Sequence, residues 1–313
     1  MTKKTASQFM LPLWIALALT AVGGPAQAVC APSDLGRSWY GVRQVTVSDL
    51  PYMRSAVGGS VTTLSVNEEM SLDEVITRLE QIASLDYVAV VNLKDASNCS
   101  GRPWEWNGSE WVFPNRAVAI LQGTADHPAV LAIYALHEPF NQNAECHWTV
   151  EEQQLLYQEL HGYTGGLPVW SDIGGVAPLE EGGISWAGGI CDYCGTFHHS
   201  FRSDWSSEQC LQETLAWIDA DLDAQGRLMP QAQVVFQAQT FSQPGYPYYP
   251  LRLPTAQELA VVRDHLCQLH EPVMYYPWSH GLYEETLRDA PDLWPVVAAG
   301  CGRTSYLPLI RTE

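Results

Sequence analysis

The sequence predicts an α/β chain folded as a single (β/α)8 barrel. Three observations lead there. Eight short β-rich runs recur along the chain, amphipathic helical runs separate several of them, and many strands are rich in Val, Ile and Tyr without clean alternation, as expected for parallel strands covered on both faces. The rival is a doubly wound sheet. That fold normally carries a glycine-rich phosphate turn after an early strand, whereas Gly58-Gly59 has the wrong spacing and precedes a strand.

The expected strands are Trp39–Val47, Val61–Val66, Tyr87–Leu93, Val130–His137, Pro168–Ile173, Gly189–Tyr193, Gln233–Phe241 and Pro272–Trp278. Between the first two, Val57-Gly58-Gly59 is read as replacing a full first helix. Ser71-Leu72-Asp73-Glu74 is a capping box, in which Ser71 accepts from a backbone N–H and Glu74 reaches back. Leu72, Val75, Ile76, Leu79 and Ile82 then form one apolar face at helical spacing. Thr149–Glu152 and Thr255–Glu258 repeat the box before further helical runs, and Arg116–Ala125, Ser207–Leu222 and Tyr283–Ala290 complete the helices.

The N-terminus has the three parts of a secretory signal peptide. Lys3 and Lys4 are basic, Phe9 to Val22 is apolar, and Ala26-Gln27-Ala28 offers a small-residue cleavage site. The expected layout is therefore a removed segment over 1–28 and one barrel domain over 29–313, secreted or periplasmic, with no membrane attachment of the mature form. The net charge is −19, and removing Lys3 and Lys4 takes it to −21. Such a chain repels phosphate backbones, which argues against nucleic-acid and anionic-membrane partners.

The chain has eight cysteines, at 30, 99, 146, 191, 194, 210, 267 and 301. An even number in an exported chain points to disulfides, with the pairing left open. Cys191 and Cys194 with His198 or His199 form a possible zinc set, but disulfides are the simpler expectation. No HExxH pair and no G-x-S-x-G elbow occurs, and the expected metal and cofactor content is none.

Chemistry in a (β/α)8 barrel sits at the C-terminal ends of the strands. Val130-Leu131-Ala132-Ile133-Tyr134-Ala135-Leu136-His137 runs directly into Glu138 and Pro139. A carboxyl at that rim enters a partly dry mouth, where burial suits it to proton donation, and Pro139 stops the strand because it has no N–H to give the ladder. Other strand ends supply Asn92, Asp172, Asp192, Gln237 with Gln239, and Tyr276 with Trp278. Side chains two apart share a direction. Amides that bond hydroxyls and aromatic faces that stack on pyranose rings make these residues a carbohydrate subsite.

The stretch Ala125-Asp126-His127-Pro128-Ala129 followed by the strand ending His137-Glu138-Pro139 resembles the fourth-strand region of β/α-barrel glycoside hydrolases. The resemblance implies that Glu138 is the general acid/base and that Trp278 stacks on sugar. Two departures stand out. His137 replaces the usual Asn or Asp, and in a regular strand it points away from Glu138 and only orients it. Where retaining members carry a nucleophilic Glu at the end of strand seven, this chain has Gln237-Ala238-Gln239. The second carboxylate is then Asp192, preferred for its place between Cys191 and Cys194, or Asp172. Failing both, the substrate supplies its own nucleophile.

The expected function is an exported glycoside hydrolase acting on a poly- or oligosaccharide. The alternative is a non-catalytic carbohydrate-binding barrel. Thiol titration of the unfolded, unreduced mature protein should find few free thiols; six or more would overturn the disulfide reading.

Overall fold

The computed structural model describes residues 39–95, 97–98, 100–139, 147–174 and 187–301. The expected signal segment, Cys30, Cys99 and Cys146 lie outside them. The fold is a (β/α)8 barrel. Its strands are β1 (Tyr40–Val42), β2 (Val61–Val66), β3 (Val88–Leu93), β4 (Val130–His137), β5 (Val169–Asp172), β6 (Tyr193–Phe197), β7 (Gln233–Gln239) and β8 (Val273–Tyr276). They pair in parallel in chain order, and β8 closes the ring on β1. Its helices are α1 (Leu50–Val57), α2 (Leu72–Ala83), α3 (Asn115–Thr124), α4 (Val150–Thr164), α5 (Ser207–Leu228), α6 (Ala256–Leu269) and α7 (Trp294–Ala299). Among the described residues a helix follows every strand except β5. None of them is long and apolar enough to cross a membrane.

The expected capping boxes at Ser71, Thr149 and Thr255 all form, each with both reciprocal bonds. A fourth forms at Ser206, where Gln209 takes the place of the acid. These boxes satisfy orphan N–H groups at the point where each helix leaves its loop.

Two apolar cores follow from strand alternation. Trp39, Val61, Val88, Val90, Leu131, Tyr134, Trp170, Val235 and Met274 fill the barrel interior. Their neighbours in sequence, such as Ala89, Val91, Ile133, Val234, Phe236 and Tyr275, face the helices. Gly41 is needed where β1 meets β2, since a Cβ there would overlap the Val61 carbonyl and the Met274 sulfur.

Several local expectations are corrected. A first helix does exist: α1 starts with a proline in its first turn, where the missing N–H costs nothing, and ends at Gly58 with φ +68°. The run Tyr283–Ala290 is not a helix but a two-residue strand, Glu285–Thr286, followed by a 3-10 turn over Leu287–Asp289. It pairs with Phe241–Ser242 at the barrel rim. The sixth strand begins at Tyr193 rather than ending there.

Cys191 and Cys194 form a disulfide, as do Cys267 and Cys301. Cys210 is buried and free. The second bridge spans 34 residues and ties the end of α6 to the chain after α7. The double substitution Cys267→Ser with Cys301→Ser should cost about 3–4 kcal/mol, the loop-closure entropy for a span of that length. Denaturant unfolding of oxidised wild type against the variant measures it, and an unchanged midpoint would remove this bridge from the stability account.

Candidate active site

The C-terminal mouth of the barrel holds a cavity of about 470 Å3. That lies within the range of about 300–1,000 Å3 common for small-ligand sites. Glu138, His137, Asn92, Gln237 and Tyr276 line it, together with Arg43, Lys94, Arg102, Tyr134, His199 and Tyr283.

Its floor is a buried ion pair that crosses the barrel. Arg43 follows β1 and Asp172 ends β5, strands on opposite sides of the eight-membered ring. Arg43 Nη1 lies 2.6 Å from Asp172 Oδ2 and also donates to Gln237 Oε1. Asp172 has no exposed surface. Trp170 Nε1 and Gln237 Nε2 each donate to its Oδ1 at 2.7 Å, the Tyr134 hydroxyl donates to Oδ2, and His137 Nδ1 stands 3.3 Å from Oδ2. Burial alone would raise the Asp172 pKa, but the Arg43 charge and the bonds from His137 and Trp170 hold it well below the usual carboxylate range. The same burial and the ionised Asp172 push the Tyr134 phenol up. Gly195 in β6 makes the room: a Cβ there would overlap Asp172 Oδ1 and sit 2.8 Å from Gln237 Nε2.

His137 reaches this network because β4 is irregular. Tyr134 pairs with Trp170, but His137 pairs with Asp172, so three steps along β4 match two along β5. The extra residue is a bulge that reverses the alternation. Leu136, which a regular strand would turn inward, is buried in the outer core instead. His137 therefore faces the mouth with its side chain 53% exposed, stacked on Phe197 with ring centroids 5.8 Å apart. This corrects the expectation that it points away from the site. The next residue, Glu138, has φ +46°, the left-handed region that non-glycine residues seldom occupy. Its N–H donates to the Asp172 carbonyl at 2.7 Å, and the Pro139 carbonyl accepts from Trp148 N–H. Bulge and left-handed turn together bring two successive side chains to one cavity.

Other expected residues lie elsewhere. Asp192 precedes β6, at the N-terminal end of the barrel and thus at the opposite end from Glu138. There it accepts from Tyr157 OH at 2.9 Å and Val169 N–H at 2.8 Å, and His161 Nε2 stands 3.0 Å away. It lines a separate cavity of about 580 Å3. Trp278 is fully buried in the outer core, stacked on Trp294 at 6.2 Å. β8 stops at Tyr276 and Pro277 follows, so alternation does not carry as far as Trp278. Gln239 does share a direction with Gln237, but loops cover it: its amide bonds Phe201 at both N–H and carbonyl, and the carbonyls of Phe241 and Arg252. Asn92 lines the cavity yet spends its Oδ1 on Arg102 Nη1.

The zinc set is absent from the mouth. Cys191 and Cys194 are bridged, and His198 turns outward to Asp221 at 3.1 Å and stacks on Trp217. His199 instead lines the cavity, and burial, with the His198 and His137 charges, lowers its pKa to about 4. It is neutral at pH 7.

No family model matches the chain, and no curated protein sequence matches it significantly. Solved structures match its fold. The endoglucanase Cel5A of Pseudomonas stutzeri superposes with a TM-score of 0.52 at 11% identity, covering 85% of this chain and 94% of that one. Cel5A of Thermotoga maritima in complex with mannotriose gives 0.54 at 11%, covering 84% and 97%. The β-glucanase SdGluc5_26A of Saccharophagus degradans gives 0.52 at 8%, covering 84% and 88%. At these identities the likeness is one of fold.

Breaking the floor should be costly. Arg43→Met leaves Asp172 buried without its cation, and loss of one partner of a buried pair costs about 3–5 kcal/mol. A carboxyl depressed in the folded state adds stability above its unfolded pKa of about 3.9 and loses it as the pH falls toward the folded value. The gap between wild type and variant should therefore be widest near neutrality and narrow in acid. Urea unfolding at pH 7 and pH 3.5 measures it. A gap that does not change with pH would remove the Asp172 charge from the explanation.

Proposed function

We propose that this chain is an exported glycoside hydrolase with Glu138 as the proton donor to the leaving oxygen. One observation carries the reading: a glutamate in a left-handed backbone conformation, at the end of the fourth barrel strand, lining the mouth cavity. Backbone conformations of this kind cost about 1–3 kcal/mol and cluster where a side chain must be aimed. The fold is also that of endoglucanases and a β-glucanase.

In this reading neither expected aspartate is the second catalytic group. Asp172 is sealed beneath the cavity and Asp192 is at the far end of the barrel. His137 takes that role in our reading. Ionised Asp172 beside Nδ1 favours the tautomer with its proton there, leaving Nε2 as the acceptor on the exposed edge of the ring. A water that gives a proton to Nε2 attacks the anomeric carbon as the glycosidic C–O bond breaks and Glu138 protonates the departing oxygen. Solvent then returns the proton from His137 to Glu138. No covalent intermediate forms, so the anomeric configuration inverts.

Gln237 favours a second reading. It stands near the end of strand seven, where a retaining enzyme carries its nucleophile, and it is bonded to Arg43 and Asp172. A barrel that binds sugar without cutting it would need no acid there.

Glu138→Gln should lower kcat/KM by about 10²–10⁴-fold on a substrate with a poor leaving group. On an activated aryl glycoside it should lose less, while His137→Asn should impair both substrates. NMR of the first-formed anomer should show inversion. Full activity of Glu138→Gln sinks the assignment, retention sinks the role of His137, and binding without cleavage across a glycan panel selects the second reading.

A further inference from the structure

The chain carries 35 acidic residues against 16 Lys and Arg, yet three of those cations, Arg43, Lys94 and Arg102, line the one mouth cavity. Arg43 is matched by Asp172 at 2.6 Å. The other two have no carboxylate within ion-pair distance, 4.0 Å, among the described residues.

Arg102 is 5% exposed. Its guanidinium lies over the Tyr134 ring, 4.3 Å from the centroid. Nη1 donates to Asn92 Oδ1 and to the carbonyls of Leu93 and Gly101, all neutral acceptors, while Nε has no partner among the described residues. Asp172 acts on it from a distance, and burial with the repulsion of Arg43 outweighs that, lowering its pKa. Lys94, exposed at the rim, has its pKa lowered by desolvation and by Arg102 and Arg43. A buried cation without a counter-ion is costly, and an arriving anion would relieve it. Asp95 on the same wall is already engaged: its Oδ1 accepts from Ser97 N–H and Oγ–H at 2.9 and 2.6 Å. A guanidinium fork suits a planar carboxylate, and a flexible ammonium beside it adds a second charge.

We propose that the mouth selects acidic sugars, with Arg102 and Lys94 receiving a carboxylate carried on the ring. The inference rests on the reading of the mouth as a sugar site, but not on cleavage there.

Calorimetry on the whole mature chain with two matched pairs tests it: trigalacturonate against its methyl ester, and cellotriose against its C6-oxidised glucuronate form. In at least one pair the acidic member should bind about tenfold or more tightly, the scale of a charged hydrogen bond, and added salt should shrink the preference. Lys94→Gln and Arg102→Gln should each erase most of it. If Arg102→Gln does not fold, Lys94→Gln, altered at an exposed rim position, carries the test. Equal binding within both pairs, a preference that survives the substitution, or no binding by any of the four sugars overturns the proposal. An acidic sugar that binds uncut leaves it standing and counts against hydrolysis. A neutral sugar that is bound and cut while its acidic partner is refused overturns this proposal and leaves hydrolysis intact.

Discussion

The mouth of this barrel is organised around one buried carboxylate. Asp172 has no contact with solvent, yet it stays ionised because Arg43 reaches it from the opposite side of the ring and Trp170, Gln237 and Tyr134 fill its remaining lone pairs. In a low dielectric such a group is stabilising only when its partners are complete. The donors come from β4, β5 and β7 and the residue after β1, so the network fixes how those strand ends stand relative to one another. Gly195 belongs to the same constraint, since any side chain there would take the space of the carboxylate.

The network decides which side chains remain for chemistry. Asp172 and Gln237 are consumed by it, and Tyr134 is held as a neutral phenol. His137 touches it with one nitrogen only, so a polar edge of the ring stays open to the cavity. The bulge in β4 is what puts the imidazole beside Asp172. The left-handed turn at Glu138 then returns the chain to the mouth and is pinned by a backbone bond to the Asp172 carbonyl. Carboxylate, imidazole and strained turn are thus one construction and not three separate features.

Charge is distributed unevenly in the same region. The chain is strongly acidic overall, but the cavity wall formed by Lys94 and Arg102 carries cations that have no carboxylate within ion-pair distance among the described residues. Electrostatics inside a cleft depend on local placement and desolvation far more than on net charge. The sign of the whole chain therefore argues about nucleic acid and membranes, and says little about what enters the mouth.

The sequence by itself determined the barrel, the starts of the helices that open on the capping boxes at Ser71, Thr149 and Thr255, and the place of Glu138. Alternation, capping boxes and a strand cut off by proline are local signals, and each concerns residues close along the chain. What it left open depended on pairing between distant segments. A bulge exists only relative to a partner strand, so His137 was assigned to the wrong face. Asp192 went to the wrong end of the barrel because β6 starts four residues later than its glycines suggested, and a short slip at a strand boundary exchanges top for bottom. Trp278 lay beyond the last paired residue, where alternation no longer applies, and Gln239 had the right direction but was covered by loops. Arg43 fell in the middle of the first strand as expected over Trp39–Val47, and only the end of β1 at Val42 makes it a strand-end cation. Arg102 was not legible either: it comes from a loop, where no periodicity says which way a side chain turns, and only the packed structure brings it over Tyr134.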